Sequence, residues 1–267
     1  MEEERFIINQ IKNIKQRKYN YIFNSIFFQI LFLFNILSIK SNSEIYLIIV
    51  GSGTQPIINS GFGTKPSEIY VKGENKGENT GECELEGDKN NITLKFQNQI
   101  ESCNEIFSGL VNLIEIDLSN FNASKVTSML RMFSGCSNLQ NINFGNINTS
   151  LVKNMELTFF GCSQLKSIDL STLVTSSLEN MKTSFQQCSQ LTSVDISNFD
   201  TSKVTSMSWM FEGCGNLETV TFGNINTSSL QDMAGLFFNC YKLTSTDLWY
   251  FDALKVKDMN HIFTNWY

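Results

Sequence analysis

Hydrophobic positions recur along the C-terminal part of the chain with a fixed period of 26 residues. Methionine, phenylalanine and leucine positions keep this spacing without insertion, and so do five cysteines: Cys136, Cys162, Cys188, Cys214 and Cys240. Six copies span residues 110–265, and residues 100–109 carry a half unit of the pattern. A fixed period of about 20 to 50 residues is typical of solenoids, in which each unit buries its apolar face against its neighbours.

Two different spacings follow each other within a unit. Steps of three, four and three residues separate Val204, Met207, Phe211 and Cys214. Such steps line one face of a short helix. The later residues Val220 and Phe222 alternate as in a strand. We therefore predict an α/β fold, a leucine-rich-repeat-like solenoid of six 26-residue strand-helix coils.

The residues before the repeat predict two further regions. Apolar runs at 44–50, 68–71 and 91–96, separated by Gly, Asn and Glu, predict a small N-terminal β cap. The predicted domains are a head at 1–43, the cap at 44–99 and the solenoid at 100–267.

Residues 19–39 form an apolar run without formal charge, long enough to cross a bilayer as a helix. Five basic residues precede it: Arg5, Lys12, Lys15, Arg17 and Lys18. Because basic residues stay on the cytoplasmic side, the rest of the chain is expected to be exported to the cell surface or secreted. The run is either a signal peptide cleaved before Glu44 or an uncleaved membrane anchor, and both alternatives stay open.

A longer stretch of the repeat, LTSVDISNFDTSKVTSMSWMFEGC at residues 191–214, resembles the BspA-like leucine-rich repeat surface proteins of bacteria and protists. The resemblance covers residues 100–267 and carries no catalytic motif. Phe121 and its equivalents stand where leucine-rich repeats usually bury an asparagine. The resemblance implies a cell-surface protein that serves in adhesion or ligand binding.

Composition and net charge argue against two classes of function, histidine-based catalysis and nucleic-acid binding. His261 is the single histidine, so catalysis built around a histidine base is not expected. The net charge is -6, which repels nucleic acid. We predict a non-enzymatic protein without cofactor or metal, which binds a protein or glycan at a cell surface. The alternative is a structural coat or scaffold element that self-assembles through the ends of the solenoid.

One outward position of each predicted strand provides a candidate binding surface. Its members are Asp117, Asn143, Asp169, Asp195, Thr221 and Asp247, with Trp249 at one end. Carboxylates stacked about 5 Å apart repel each other, which favours a cation-bearing partner, Ca²⁺ or a glycan. The alternative is a solvated face without a ligand.

The cysteines form two groups. The five at period 26 are predicted to pack as a buried structural column, because metal ligands must converge on a point and these lie in a line. Cys83 and Cys103 stand outside the column. In an exported protein they either form a disulfide or remain two thiols.

Asn-x-Ser/Thr sequons predict glycosylation of an exported chain at Asn91, Asn122, Asn148 and Asn226. The last three share one phase of the repeat, where asparagine and threonine also suit the hydrogen bonds of a turn.

At the C-terminal end of the repeat, Phe263 and Trp266 lie in a sixth unit with no polar unit after it. Because an uncovered solenoid end exposes apolar core, we predict self-association through this C-terminal coil.

Overall fold

The computed structural model describes residues 43–77, 81–246, 248 and 250–265. These residues form eleven strands joined by turns: β1 (Ser43–Val50), β2 (Gly53–Pro56), β3 (Glu68–Val71), β4 (Glu74–Gly77), β5 (Glu82–Leu85), β6 (Lys89–Phe96), β7 (Leu113–Asp117), β8 (Asn141–Asn143), β9 (Ser193–Asp195), β10 (Thr219–Thr221) and β11 (Ser245–Thr246). They assemble into sheets of six, three and two strands.

The six-stranded sheet has the order β4-β3-β6-β1-β7-β8. Strand β1 lies inside the sheet. Its residues alternate strictly, so Ile45, Leu47 and Ile49 are buried on one face. It pairs antiparallel with β6 on one side and with β7, the first repeat strand, on the other. The predicted cap and the predicted repeat region therefore share one sheet.

Successive repeat units are joined by backbone hydrogen bonds between residues about one period apart. The pairs β7-β8, β9-β10 and β10-β11 are parallel. A second line of parallel bridges runs through Ser128, Asn154, Asn180, Ser206, Asp232 and Asp258. The period of 26 residues in the sequence is thus also a period of the structure.

The predicted α/β solenoid of strand-helix coils is wrong. The described residues contain no helix, and the segments predicted as helices consist of turns. The N–H of Met132 donates to the carbonyl oxygen of Met129, only three residues back (3.1 Å), and the N–H of Phe133 donates to Thr158 of the next unit (2.8 Å). An α-helix would need both donors to bond four residues back in the same unit.

Left-handed backbone conformations explain why the helix does not form. Arg131 has φ of 53° and Gly135 has φ of 77°, and the equivalent positions of the other described units also have positive φ. Two such residues in each turn segment are incompatible with a right-handed helix. Steps of three and four residues arise here from consecutive turns that each point an apolar side chain inward.

The strands also fail to form one continuous sheet. In the third unit, residues 167–169 occupy the position of the strand but are not one. The six-stranded sheet therefore ends at β8, and a separate parallel sheet begins at β9.

The core of the repeat is a column of stacked phenylalanine rings: Phe107, Phe133, Phe159, Phe185, Phe211, Phe237 and Phe263. Neighbouring ring centroids are 5.1 to 5.8 Å apart. The rings are nearly parallel, so each unit contributes one ring to a stack that continues through the repeat.

The predicted signal or anchor segment at residues 19–39 lies outside the described residues, as does Trp266. Within the part of the chain that the structure describes, there is no helix of sufficient length and apolar character to span a membrane.

Candidate functional site

A groove of about 480 Å³ lies on the outward face of the six-stranded sheet. Its lining includes the outward residues Tyr46, Ile48, Asn91, Thr93, Glu115, Asp117, Asn141 and Asn143. They share one face because side chains alternate along each strand and the four strands β6, β1, β7 and β8 lie side by side. The groove is therefore built half from the cap and half from the first two repeat units.

Strand register arranges these side chains in two rows. The first row is Asn91, Ile48, Glu115 and Asn141. The second row is Thr93, Tyr46, Asp117 and Asn143. Each row crosses all four strands, so a ligand in the groove would contact both predicted domains.

The predicted binding residues are only partly brought together. Asp117 and Asn143 line the groove, whereas Asp169 lies in the third unit, which has no strand, and Asp195 lies on β9 of the separate sheet. Asp247 and Trp249 lie outside the described residues. The candidate binding surface predicted from the sequence, called the strip below, is thus divided at the third unit.

Each described acidic or amide member of the strip also closes a turn. The side-chain Oδ1 accepts a hydrogen bond from the backbone N–H two residues later, at Ser119, Gly145, Ser171 and Ser197. The hydroxyls of Ser171 and Ser197, together with these N–H bonds, hold the pKa of Asp169 and of Asp195 below the ordinary value. The carboxylates therefore have a structural role whether or not a ligand binds.

The carboxyl of Asp117 differs because it is partly buried. Burial acts to raise its pKa, but hydrogen bonds from the hydroxyl and N–H of Ser119 and from the Asn143 side chain outweigh burial and lower the pKa. The group is ionised at neutral pH and is held in place by its neighbours.

The other charged groups at the groove are paired. Lys89 lies 3.7 Å from the carboxylate of Glu115. Beyond the second row, the Lys95 ammonium lies 3.3 Å from Glu44, which also accepts a hydrogen bond from the Tyr46 hydroxyl. The Tyr46 bond, with a smaller contribution from Lys95, lowers the pKa of Glu44 against the opposing effect of burial.

Several polar side chains of the groove have no such partner. Among the described residues, nothing hydrogen-bonds to the side chains of Asn91, Thr93 and Asn141. The repeat pattern alone did not identify Tyr46, Ile48 and Thr93 as binding residues, because the pairing of β1 with β7 joins positions distant in sequence. Asn141 lies within the repeat, on β8 with Asn143, and was not identified either. The alternation of apolar and other residues at 44–50 was the sequence feature that could have identified Tyr46 and Ile48, since it places both on one face of a strand.

The sequon asparagines occupy two kinds of position. Asn91 lies in the groove on β6, between β1 and β3. At the turn positions, Oδ1 of Asn122, Asn148 and Asn226 accepts the N–H of the serine two residues later. The turn role is therefore observed, and glycosylation stays a prediction.

The five period-26 cysteines are all buried, and each thiol donates to the carbonyl oxygen of a phenylalanine in the preceding unit. The Sγ of Cys188, for example, lies 3.1 Å from the oxygen of Phe159, which also accepts the N–H of Cys162. Burial raises the pKa of the Cys136 and Cys240 thiols to about 12 and raises that of the thiols between them. Such thiols are protonated and unreactive at neutral pH.

The two remaining cysteines are also buried, and no disulfide joins Cys83 to Cys103 in the structure. Burial raises the pKa of Cys103 to about 12.

The described residues hold no group of three or more His, Cys, Asp or Glu side chains arranged to bind a metal ion. His261 is exposed, with its Nδ1 3.3 Å from the Thr264 hydroxyl.

Comparison with known proteins gave one family and one solved structure. The model of a family described as "Mycoplasma protein of unknown function, DUF285" matches residues 101–194 and 179–267. The crystal structure of the T. pallidum leucine-rich repeat protein is similar at 21% identity and a TM-score of 0.34, over 54% of this chain and 71% of that chain. No curated protein matches.

The family matches cover more than half of the chain and include all six repeat units. The finer resemblance to the BspA-like proteins stays a prediction. The chain belongs to the DUF285 family.

Proposed function

We propose that the protein is a non-enzymatic binding protein, at the cell surface or secreted, that recognises a protein or glycan through the sheet-face groove. The observation that carries this proposal is the groove itself, where Asp117 and Asn143 meet unpaired polar side chains from the cap. Surface clefts with a few convergent polar groups are favoured places for ligands. The resemblance of the repeat to BspA-like surface proteins supports the same proposal.

Binding through the groove is tested by filling it. Asn141→Arg places a long side chain in the groove, and Thr219→Arg makes the same change at the matched exposed position three units later, on β10. The full chain is displayed on bacteria and tested for adherence to host cells and to purified surface proteins and glycans. The proposal expects Asn141→Arg to abolish adherence and Thr219→Arg to leave it unchanged; equal effects of the two changes would contradict it.

The proposed localisation rests on residues 19–39 and on the basic residues before them. Biotinylation of intact cells should label the protein, and N-terminal sequencing distinguishes a chain cleaved before Glu44 from one that keeps its anchor. A purely cytosolic, unlabelled pool would contradict export.

A structural scaffold is the second candidate, and one observation favours it. Met259 is 49% exposed and Phe263 36% exposed, whereas their equivalents Met207 and Phe211 are fully buried. This apolar surface suits contact with a second copy of the chain.

A further inference from the structure

The charges of the groove leave little attraction for a charged ligand. Glu115 is paired with Lys89, and the Asp117 carboxylate accepts the N–H of Ser119. None of the residues that line the groove is a lysine or arginine. The nearby Lys89 is already paired with Glu115. An anionic ligand would therefore meet no unpaired cation among the residues that line the groove, and a cationic ligand would compete with bonds already made.

The hydrogen-bonding groups without a protein partner are neutral. Asn91 and Asn141 carry side-chain amides, each able to donate and to accept, and Thr93 carries a hydroxyl with the same ability. Sugar hydroxyls also donate and accept, so they can satisfy these groups in full. Neutral groups that both donate and accept are what a polyhydroxylated ligand requires.

Apolar surface lies between these polar groups. Ile48 is half-buried between Asn91 and Glu115 in the first row, and Tyr46 lies beside it in the second. The Tyr46 hydroxyl is bonded to Glu44, which fixes the position of the ring. The C–H faces of sugar rings pack on apolar and aromatic side chains of this kind.

The rows are long enough for more than one sugar. Neighbouring strands are about 4.8 Å apart, so four strands span about 14 Å across the groove. A ligand that reaches both Asn91 and Asn141 must cross β1 and β7, which requires a chain of sugar units.

We infer that the groove binds a neutral oligosaccharide laid across β6, β1, β7 and β8, with its hydroxyls bonded to Asn91, Thr93 and Asn141 and its ring faces on Ile48 and Tyr46. This inference rests on the proposed function and specifies its ligand. It also implies that a glycan attached at Asn91 would occupy the groove and block the site.

The inference is tested with the unglycosylated full chain in detergent on an immobilised panel of neutral oligosaccharides. The panel also holds sialylated and sulfated counterparts and lysine-rich peptides. We expect binding to at least one neutral oligosaccharide, with an affinity that changes less than about twofold between about 50 and 500 mM NaCl, because no ion pair is involved. The double change Thr93→Ala and Asn141→Ala should weaken binding about tenfold or more, through lost hydrogen bonds.

The matched control is Ser193→Ala with Thr219→Ala, two exposed positions at equivalent places on β9 and β10. It should bind as the wild type does, and both double variants should show the wild-type urea midpoint. Binding of the anionic glycans or the lysine-rich peptides alone would overturn the inference, as would neutral binding that the groove variant leaves unchanged. A chain that adheres to host cells through the groove but binds no neutral oligosaccharide would overturn this inference and leave the proposed function standing. A chain that neither adheres through the groove nor binds a neutral oligosaccharide would overturn the inference and the proposed function together.

Discussion

At the scale of single residues, the cysteine column explains why the repeat uses cysteine instead of another small apolar residue. Each phenylalanine carbonyl has two lone pairs, and the N–H of the cysteine three residues later in its own unit takes one of them. The thiol of the next unit takes the other, as Cys188 does at Phe159. Neither alanine nor valine could make this bond, and alanine would also leave a cavity.

Replacing Cys188 by alanine should lower the free energy of unfolding by about 1 to 3 kcal/mol, because it leaves a cavity and an unused carbonyl lone pair. Cys162→Ala should act similarly. Urea unfolding of each variant measures the loss. The exposed control Thr219→Ala should change stability by less than about 0.5 kcal/mol, and a cysteine variant within that range would contradict the packing role.

The raised pKa values give the protein a defined response to alkaline pH. A thiol is neutral when protonated, so burial makes the folded state hold its proton more tightly than the unfolded state. The Cys136 pKa rises from an ordinary 9.0 to about 12. The stabilisation is thus fully present below pH 9 and should be lost as the pH rises from 9 towards 12.

Urea unfolding between pH 8 and 11 measures this slope. Cys136→Ala should be less stable than the wild type at pH 8, and its stability should fall less steeply with pH. Thiol labelling at pH 8 gives a second readout: the period-26 cysteines should react only after unfolding. Rapid labelling of the folded chain would contradict the burial of the column.

At the scale of the structural elements, a column of buried threonines joins neighbouring units. The Thr201 hydroxyl donates to the carbonyl oxygen of Asn226 in the next unit (2.8 Å) and accepts the N–H of the same residue (3.1 Å). Thr149 bonds to Val174 in the same way. The turn after each strand is thereby fixed to the next unit.

Thr201→Val keeps the shape of the side chain but removes both bonds, so we expect the free energy of unfolding to fall by about 1 to 2 kcal/mol. Thr201→Ser keeps the hydroxyl and should lose less. Urea unfolding of the two variants separates hydrogen bonding from packing. A larger loss for Thr201→Ser than for Thr201→Val would contradict this expectation and show that the methyl group, not the hydroxyl, stabilises the contact.

The repeat period, the inward positions and the apolar runs in β1, β3 and β6 could be predicted from sequence, because each depends on local spacing. The helix could not be excluded, because steps of three and four residues occur in helices and in consecutive turns alike. Gly135 was consistent with a left-handed backbone conformation, because glycine adopts positive φ readily. Arg131 has the same conformation, and its residue type does not indicate it. The break of the sheet at residues 167–169 has no sequence feature that we can identify.

At the scale of the whole molecule, the groove arises from a long-range pairing that no local pattern specifies. Asp117 and Asn143 were predicted as binding residues because they point outward in the repeat frame. Their partners Tyr46 and Thr93 come from the cap, 71 and 24 residues before Asp117 in the sequence, and are brought in by the antiparallel pairing of β1 with β6 and β7. Asp117 and Asn143 could therefore be predicted as binding residues, and the other outward residues of the groove are identified as such only from the fold.

The exposed apolar surface of the sixth unit gives a separate prediction. If it contacts a second copy, residues 44–267 should sediment as a dimer or larger species, and Phe263→Glu with Trp266→Glu should sediment as a monomer, because charge disfavours burial. A soluble monomer before the change would contradict self-association through this surface.

Isothermal titration measures whether the sheet-face groove is the binding site. The ligand is the strongest-binding probe selected on the panel, titrated into the full chain and into the Asn141→Arg and Thr219→Arg variants. We expect the same Kd for the wild type and Thr219→Arg, and a Kd about tenfold or more weaker for Asn141→Arg. An Asn141→Arg variant that binds as tightly as the wild type would contradict binding in the groove.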